Sequence, residues 1–292
     1  MKLRLAILSF FLFFAWGKTV CAQSSSNENN TLLWKVSGNG LSSPSYLFGT
    51  FHLMCKDDIQ FSSALQQAFT NSKFIYMEMD FNDPENTLGM MSYVNMKDGK
   101  TLSALYTKEE YERVARFFKD SLHASLDYFN RMKPNFIEAM LYPKLMPCKR
   151  ISGVEEELRK MAADHQIPIK GLENMAFQSS VFDRIPYEDQ AKELLNSIDS
   201  IDTYRQNFLH LLEIYKNQRV EEMEKAMVEE PSFNATKELL LDGRNRNWVA
   251  QLNGIMKKDG VFVAIGAGHL VGAQGLIALL RKEGYWVTPV AN

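Results

Sequence analysis

Short, nearly continuous apolar runs alternate along this chain with longer stretches whose apolar residues recur three and four apart. Residues 32–36 and 45–48 read as two strands, and Ser37-Gly38-Asn39-Gly40 between them is rich in turn formers, which predicts a hairpin. Residues 62–71 have helical spacing, and Lys73-Phe74-Ile75-Tyr76-Met77-Glu78-Met79-Asp80 reads as a buried strand ending in acids. From 84 to 147 the pattern is helical, as at Tyr111, Val114, Ala115 and Phe118. Residues 153–164 form an amphipathic helix whose Glu155-Glu156-Glu157 run suits a helix N-terminus and predicts a solvated face. A short strand at 168–172 leads into Glu173. One long helical tract covers 187–230, Pro231 interrupts it, and a further helix covers 236–258.

The C-terminal part is the clearest. Gly260-Val261-Phe262-Val263-Ala264-Ile265 is apolar throughout, as expected of a parallel strand buried on both faces. A helix at 275–281 and a last strand at 285–288 follow. Strands alternating with helices predict an α/β fold: a mixed, mostly parallel sheet with flanking helices and a large helical insertion.

The N-terminus changes the picture of where this chain works. Lys2 and Arg4 precede an apolar stretch from Leu5 to Trp16, and Ala22 ends a segment of modest side chains. That plan predicts a signal peptide over 1–22, with an uncleaved anchor or lipidation of Cys21 as alternatives. Polar residues 23–30 predict a disordered leader. Residues 31–292 are then a single domain with helical insertions at about 84–150 and 185–240, exported to a periplasm or the outside, with no transmembrane segment in the mature chain. Removing 1–22 deletes three basic residues and no acid, taking the formal charge from −2 to −5. That balance excludes nucleic acid as a partner. Only Cys55 and Cys148 remain after cleavage, and in an oxidising compartment they predict a disulfide, the alternative being two free buried thiols.

Two segments echo each other. Gly49-Thr50-Phe51-His52 and Gly266-Ala267-Gly268-His269 both read Gly-x-x-His after an apolar strand. Ligands of open α/β sheets bind at the carboxyl ends of strands, so two histidines delivered there can converge. Glu78 and Glu173 stand at comparable strand ends, Gln178 follows five residues later, and Arg244 lies in Asp242-Gly243-Arg244-Asn245. Two imidazoles and a carboxylate form a common ligand set for a divalent metal with open positions. His123, His165 and His210 have no such context, and no Gly-x-Ser-x-Gly, His-Glu-x-x-His or phosphate-binding loop occurs.

The pieces Tyr46-Leu47-Phe48-Gly49-Thr50-Phe51-His52-Leu53, Met77-Glu78-Met79-Asp80, Gly171-Leu172-Glu173 with Gln178, Arg244-Asn245, and Val263-Ala264-Ile265-Gly266-Ala267-Gly268-His269-Leu270 together resemble the TraB/PrgY/GumN family. More distantly they resemble the Tiki metalloproteases and the erythromycin-esterase/ChaN-like superfamily. The resemblance implies that fold and a metal-dependent hydrolase site, most plainly a peptidase using manganese or cobalt. It implies His52, Glu78 and His269 as metal ligands. Glu78 or Glu173, in interchangeable roles, would be the base, and Arg244 would face the oxyanion. Gly49, Gln178, Asn245 and Gly266 support them. The substrate would be a peptide or a small ester. Two other readings stand beside it: a peptide-sequestering protein without turnover, and a metal-independent esterase with His52 as base.

Overall fold

The computed structural model describes residues 30–87, 90–229 and 231–292. The expected signal peptide and nearly all of the leader lie outside the described residues. Among the described residues are eight strands: β1 (Leu33–Gly38), β2 (Ser45–Thr50), β3 (Met54–Cys55), β4 (Phe74–Met79), β5 (Ile151–Ser152), β6 (Ile169–Glu173), β7 (Val261–Gly266) and β8 (Tyr285–Pro289). Six form one sheet in the order β6-β4-β7-β2-β1-β8. The run β6-β4-β7-β2 is parallel, and β1 is antiparallel to both β2 and β8. The fold is therefore mixed α/β with a mostly parallel sheet.

β7 lies at the centre because its sequence suits no other place. Val261, Phe262, Val263, Ala264 and Ile265 are all fully buried, and each large side chain of this kind contributes about 1.5–3 kcal/mol on burial. Phe262 packs against Phe69 of the helix Ser63–Thr70 at 5.1 Å and against Phe48 of β2 at 6.0 Å. The predicted hairpin joins β1 and β2. Gly38, Asn39 and Gly40 have φ of 78°, 46° and 77°, a left-handed run that two glycines and an asparagine accept most readily.

Helices supply a second apolar cluster, in which Leu102, Val114, Phe118, Leu126, Ile137 and Leu194 are buried. Lys133 is buried among these helices and reaches Asp183 at 2.7 Å. The helical tracts are more broken than periodicity predicts. The tract after residue 187 is three helices, Tyr187–Asp199, Ile201–Lys216 and Val220–Val228. Ser200 leaves helical backbone between the first two, and Gln218, at φ 54°, separates the last two. Pro231 opens the helix Pro231–Lys237 rather than ending one. A helix at Met175–Asp183, capped by the Asn174 carboxamide accepting from the Phe177 N–H, has no counterpart in the sequence reading.

β3 and β5 make a separate two-stranded ribbon. The Cys55–Cys148 disulfide, with Cα atoms 5.9 Å apart, ties the segment after His52 to the segment before β5. No described helix is long and apolar enough to cross a membrane.

Candidate functional site

The parallel strands β2, β4, β6 and β7 all finish at one edge of the sheet, and they finish in Thr50, Met79, Glu173 and Gly266. His52 follows β2 in a turn, and His269 ends a short 3-10 turn, Ala267–His269, after β7. A Cβ built on Gly266 would lie 3.2 Å from Glu78 Oε1, 3.6 Å from His269 Cδ2 and 4.0 Å from His52 Nε2. The two Gly-x-x-His segments and the β4 acid thus converge on one point. Gly266 keeps that point open, and its N–H donates to Glu78 Oε1 at 2.9 Å. Gly49 serves packing instead: a Cβ there would be 2.8 Å from Leu270 Cδ1.

Each imidazole is oriented by a partner on Nδ1. His52 Nδ1 lies 2.7 Å from Glu155 Oε1, which also accepts from the Thr50 hydroxyl at 2.6 Å. His269 Nδ1 lies 2.6 Å from Asn245 Oδ1. Asn245 Nδ2 donates to the Gln274 carbonyl, so its oxygen is the acceptor, the His269 proton sits on Nδ1 and Nε2 keeps its lone pair. Arg244 Nη1 faces that Nε2 at 3.3 Å.

Glu155 corrects the expectation of a solvated glutamate run. Its carboxylate turns inward from the first turn of the helix Val154–Asp164, while Glu156 stays on the exposed side. The cause is Gly153, where a Cβ would stand 2.5 Å from the His52 carbonyl oxygen. With no side chain there, the helix start closes on the His52 turn, and the Val154 N–H donates to the Phe51 carbonyl at 3.0 Å. Nothing in the local pattern distinguishes Glu155 from its neighbours, because its partner is 103 residues away.

Arg244 lies in the first turn of the helix Gly243–Met256, directly after a π-helical turn at Glu238–Asp242. All five of its N–H groups are engaged. Nε donates to both oxygens of Glu173, Nη2 to Glu78 Oε2 at 2.6 Å and Glu173 Oε2 at 2.7 Å, and Nη1 to the Leu240 carbonyl and His269. Glu173 also accepts from Trp248 Nε1 at 2.9 Å and from Gln178 Nε2 at 3.2 Å. As arranged, Glu173 and Arg244 hold each other, and neither presents a spare group to a reacting atom. Trp248 was missed by sequence reading. It sits four residues after Arg244, on the same helix face, and packs against His269 with the rings tilted by 42° and their centroids 4.3 Å apart.

The electrostatics follow burial. His52 is 75% exposed at the mouth, while His269 and Glu173 are 4% exposed on the floor. Glu155 raises the His52 imidazole toward about 9, against the cost of burial. Solvent around the exposed ring screens that field, trimming the size of the shift and not its direction. Burial holds His269 down at about 3, against the pull of Glu78. Burial pushes the Glu78 carboxyl up, but His269, Arg244 and His52 outweigh it and hold it below the usual carboxylate range. Since His269 is neutral near pH 7, the charges of Arg244 and His52 are what sustain that direction.

The donor types fit a divalent metal: two imidazoles with Nδ1 pinned, and a carboxylate, around a point a Cβ would fill. Among the described residues, however, no three His, Cys, Asp or Glu side chains stand in a metal-holding arrangement. Arg244 touches both Glu78 and His269.

Among known proteins, metalloprotease TIKI2 of Danio rerio is 31% identical over 118 residues, 39% of this chain and 21% of that protein. The metalloprotease TIKI homolog of Nematostella vectensis is 29% identical over 122 residues, 40% of this chain and 23% of that protein. The alignments thus span less than a quarter of these relatives. No solved structure matches. A model of the TraB/PrgY/gumN family matches residues 32–289, nearly the whole described chain, and this protein belongs to that family.

Proposed function

We propose that this protein is an exported, metal-dependent hydrolase that cleaves peptides at the centre formed by His52, Glu78 and His269. The convergence of Glu78 Oε1, the His269 ring and His52 Nε2 around Gly266 carries the reading. The names of the relatives, both metalloproteases, supply the reaction class. A manganese- or cobalt-type ion would be held by Nε2 of both histidines and by Glu78. When bound, it supplies an activated water near neutral pH.

The protein's own groups then have distinct work. Glu155 keeps the His52 proton on Nδ1 and turns Nε2 inward. Asn245 does the same for His269. Glu78 is the carboxylate with an oxygen facing the histidines, so it suits ligation or proton transfer better than Glu173. Arg244, with every donor committed, acts by positioning Glu78 and Glu173 rather than by meeting an oxyanion. The Thr50–Glu155–His52 chain also suits a reading in which His52 is the base and no metal is needed.

A mixed peptide library incubated with the purified protein and read by mass spectrometry separates these. Cleavage that appears with manganese and stops on chelation supports the first reading. Cleavage that survives thorough chelation supports the second. Stoichiometric binding without product over a day overturns both in favour of sequestration.

A further inference from the structure

β6 is the outermost strand of the sheet, and no described strand pairs with its far edge. Lys170 and Gly171 are exposed along it. The strand ends in Glu173, which is bound to Arg244. One end of an open backbone edge therefore lies against the proposed centre. Such an edge offers unpaired N–H and C=O groups to an incoming extended chain.

A cleft of about 410 Å³ is lined by β6 and by the segment that follows its neighbour β4. Its lining includes Asp80, Asp83 and Glu85 from the segment after β4, and Gly171, Glu173 and Asn174 from β6 and its end. Among the described residues, the Asp80 and Asp83 carboxylates accept from the nearby backbone N–H groups of Asn82 and Glu85. None of the three acids forms an ion pair with a Lys or Arg among the described residues. The one basic side chain in the lining, Lys170, places its ammonium 3.9 Å from the Phe74 ring centroid. A lysine on a short edge strand ordinarily guards that edge; here its charge is drawn over an aromatic face. Gly171 has no side chain to cover the strand, and could carry none without shift: a Cβ there would be 2.9 Å from the Asp80 backbone nitrogen.

We infer that this edge and cleft are the substrate-binding groove, in which an extended peptide pairs with β6 and places a lysine or arginine side chain among Asp80, Asp83 and Glu85. The inference deepens the peptidase reading and rests on it for the ligand being a peptide. It also adds specificity residues outside the hydrolytic centre. Backbone pairing supplies affinity without regard to sequence, and the carboxylates select charge.

The test uses the purified protein carrying His52→Ala, so that binding is read without turnover. The probes are fluorescein-labelled Ala-Val-Lys-Val-Lys-Val-Ala, its glutamate-for-lysine counterpart, and the lysine peptide N-methylated at alternate amides, measured by fluorescence anisotropy. The lysine peptide is expected to bind about tenfold tighter than the glutamate peptide, and N-methylation to weaken it by about tenfold. Asp83→Asn/Glu85→Gln, which keeps the turn-forming oxygen at 83, is expected to bring the lysine-to-glutamate ratio within about twofold. Glu109→Gln/Glu112→Gln, on an exposed helix elsewhere, is expected to leave it unchanged. Equal binding of the two charged peptides overturns the inference, as does indifference to N-methylation or an equal response from the distant pair. The wild-type protein is then incubated with the lysine peptide. The binding pattern without cleavage keeps the groove and removes the hydrolase; cleavage without the pattern does the reverse.

Discussion

Arg244 Nη2 and Glu78 Oε2 meet at 2.6 Å, and through that contact the helix Gly243–Met256 is locked to the end of β4. The same guanidinium holds Glu173 at the end of β6 and faces His269 after β7. One side chain therefore sets the relative positions of three strand ends. Arg244→Gln is expected to lower peptide cleavage by about a hundredfold, because small displacements of reacting groups cost that much. It should also destabilise the fold by about 3–5 kcal/mol, since two largely buried carboxylates lose their cation. Arg244→Lys should rescue little, because an ammonium cannot reproduce the fork. Kinetics and urea denaturation of both variants check this; a lysine variant near wild type in both would contradict it.

Glu155 raises the His52 imidazole, so removing it should lower the titration midpoint. In Glu155→Gln, NMR titration of the His52 ring is expected to move from above 6.5 back toward that ordinary value. The linkage has a definite sign. The folded value is raised, so the stability from this pair is fully present below the unfolded value of 6.5 and fades as pH rises toward about 9. An unchanged midpoint in the variant would show that the carboxylate does not govern His52.

How much of this could be read in advance divides along physical lines. The apolar run of β7 announced a central strand, and both Gly-x-x-His segments could be placed at strand ends, because burial and turn chemistry are local. Cys55 and Cys148 pair as expected, an expectation that rests on the reading of residues 1–22 as a cleaved signal peptide. Glu155 was hidden, since a carboxylate on a solvated helix and one bound to a distant histidine share the same local sequence. Trp248 was half visible: helical spacing puts it beside Arg244, but nothing local marks its indole N–H as a partner for Glu173. The helix breaks at Ser200 and Gln218 leave apolar periodicity nearly intact, so periodicity could not show them.

Lys133 is almost wholly buried, and its ammonium is held by Asp183 at 2.7 Å and by the Ser179 hydroxyl at 2.7 Å. Asp183→Asn should cost about 3–5 kcal/mol by leaving that charge unpaired, whereas Lys133→Met/Asp183→Leu should recover most of the loss. Burial pushes the Asp183 carboxyl up, but Lys133, Tyr187 and Lys97 hold it below its ordinary 3.8. Its stabilisation is therefore present above that value and lost as pH falls beneath it. Urea melts at neutral and acid pH read both effects. Equal losses in the single and double variants would contradict the pairing.

The Cys55–Cys148 bridge closes a separation of 93 residues and braces the β3–β5 ribbon, which lies between His52 and Glu155 in sequence. Cys55→Ser/Cys148→Ser is expected to lower stability by about 2–5 kcal/mol. It should also weaken cleavage, by loosening the register that brings Glu155 to His52. Mass mapping of unreduced digests should show the two cysteine peptides joined; finding both alkylated without reduction would rule the bridge out.

His52, Glu78 and His269 are proposed to form one metal centre. Its most direct test is the manganese bound per chain after equilibrium dialysis, measured by elemental mass spectrometry in the wild type, His52→Ala, Glu78→Gln and His269→Ala. About one ion per wild-type chain is expected, as a single three-residue site requires, with near-complete loss in each variant whose circular dichroism shows it still folded. Full manganese occupancy in both histidine variants would contradict it.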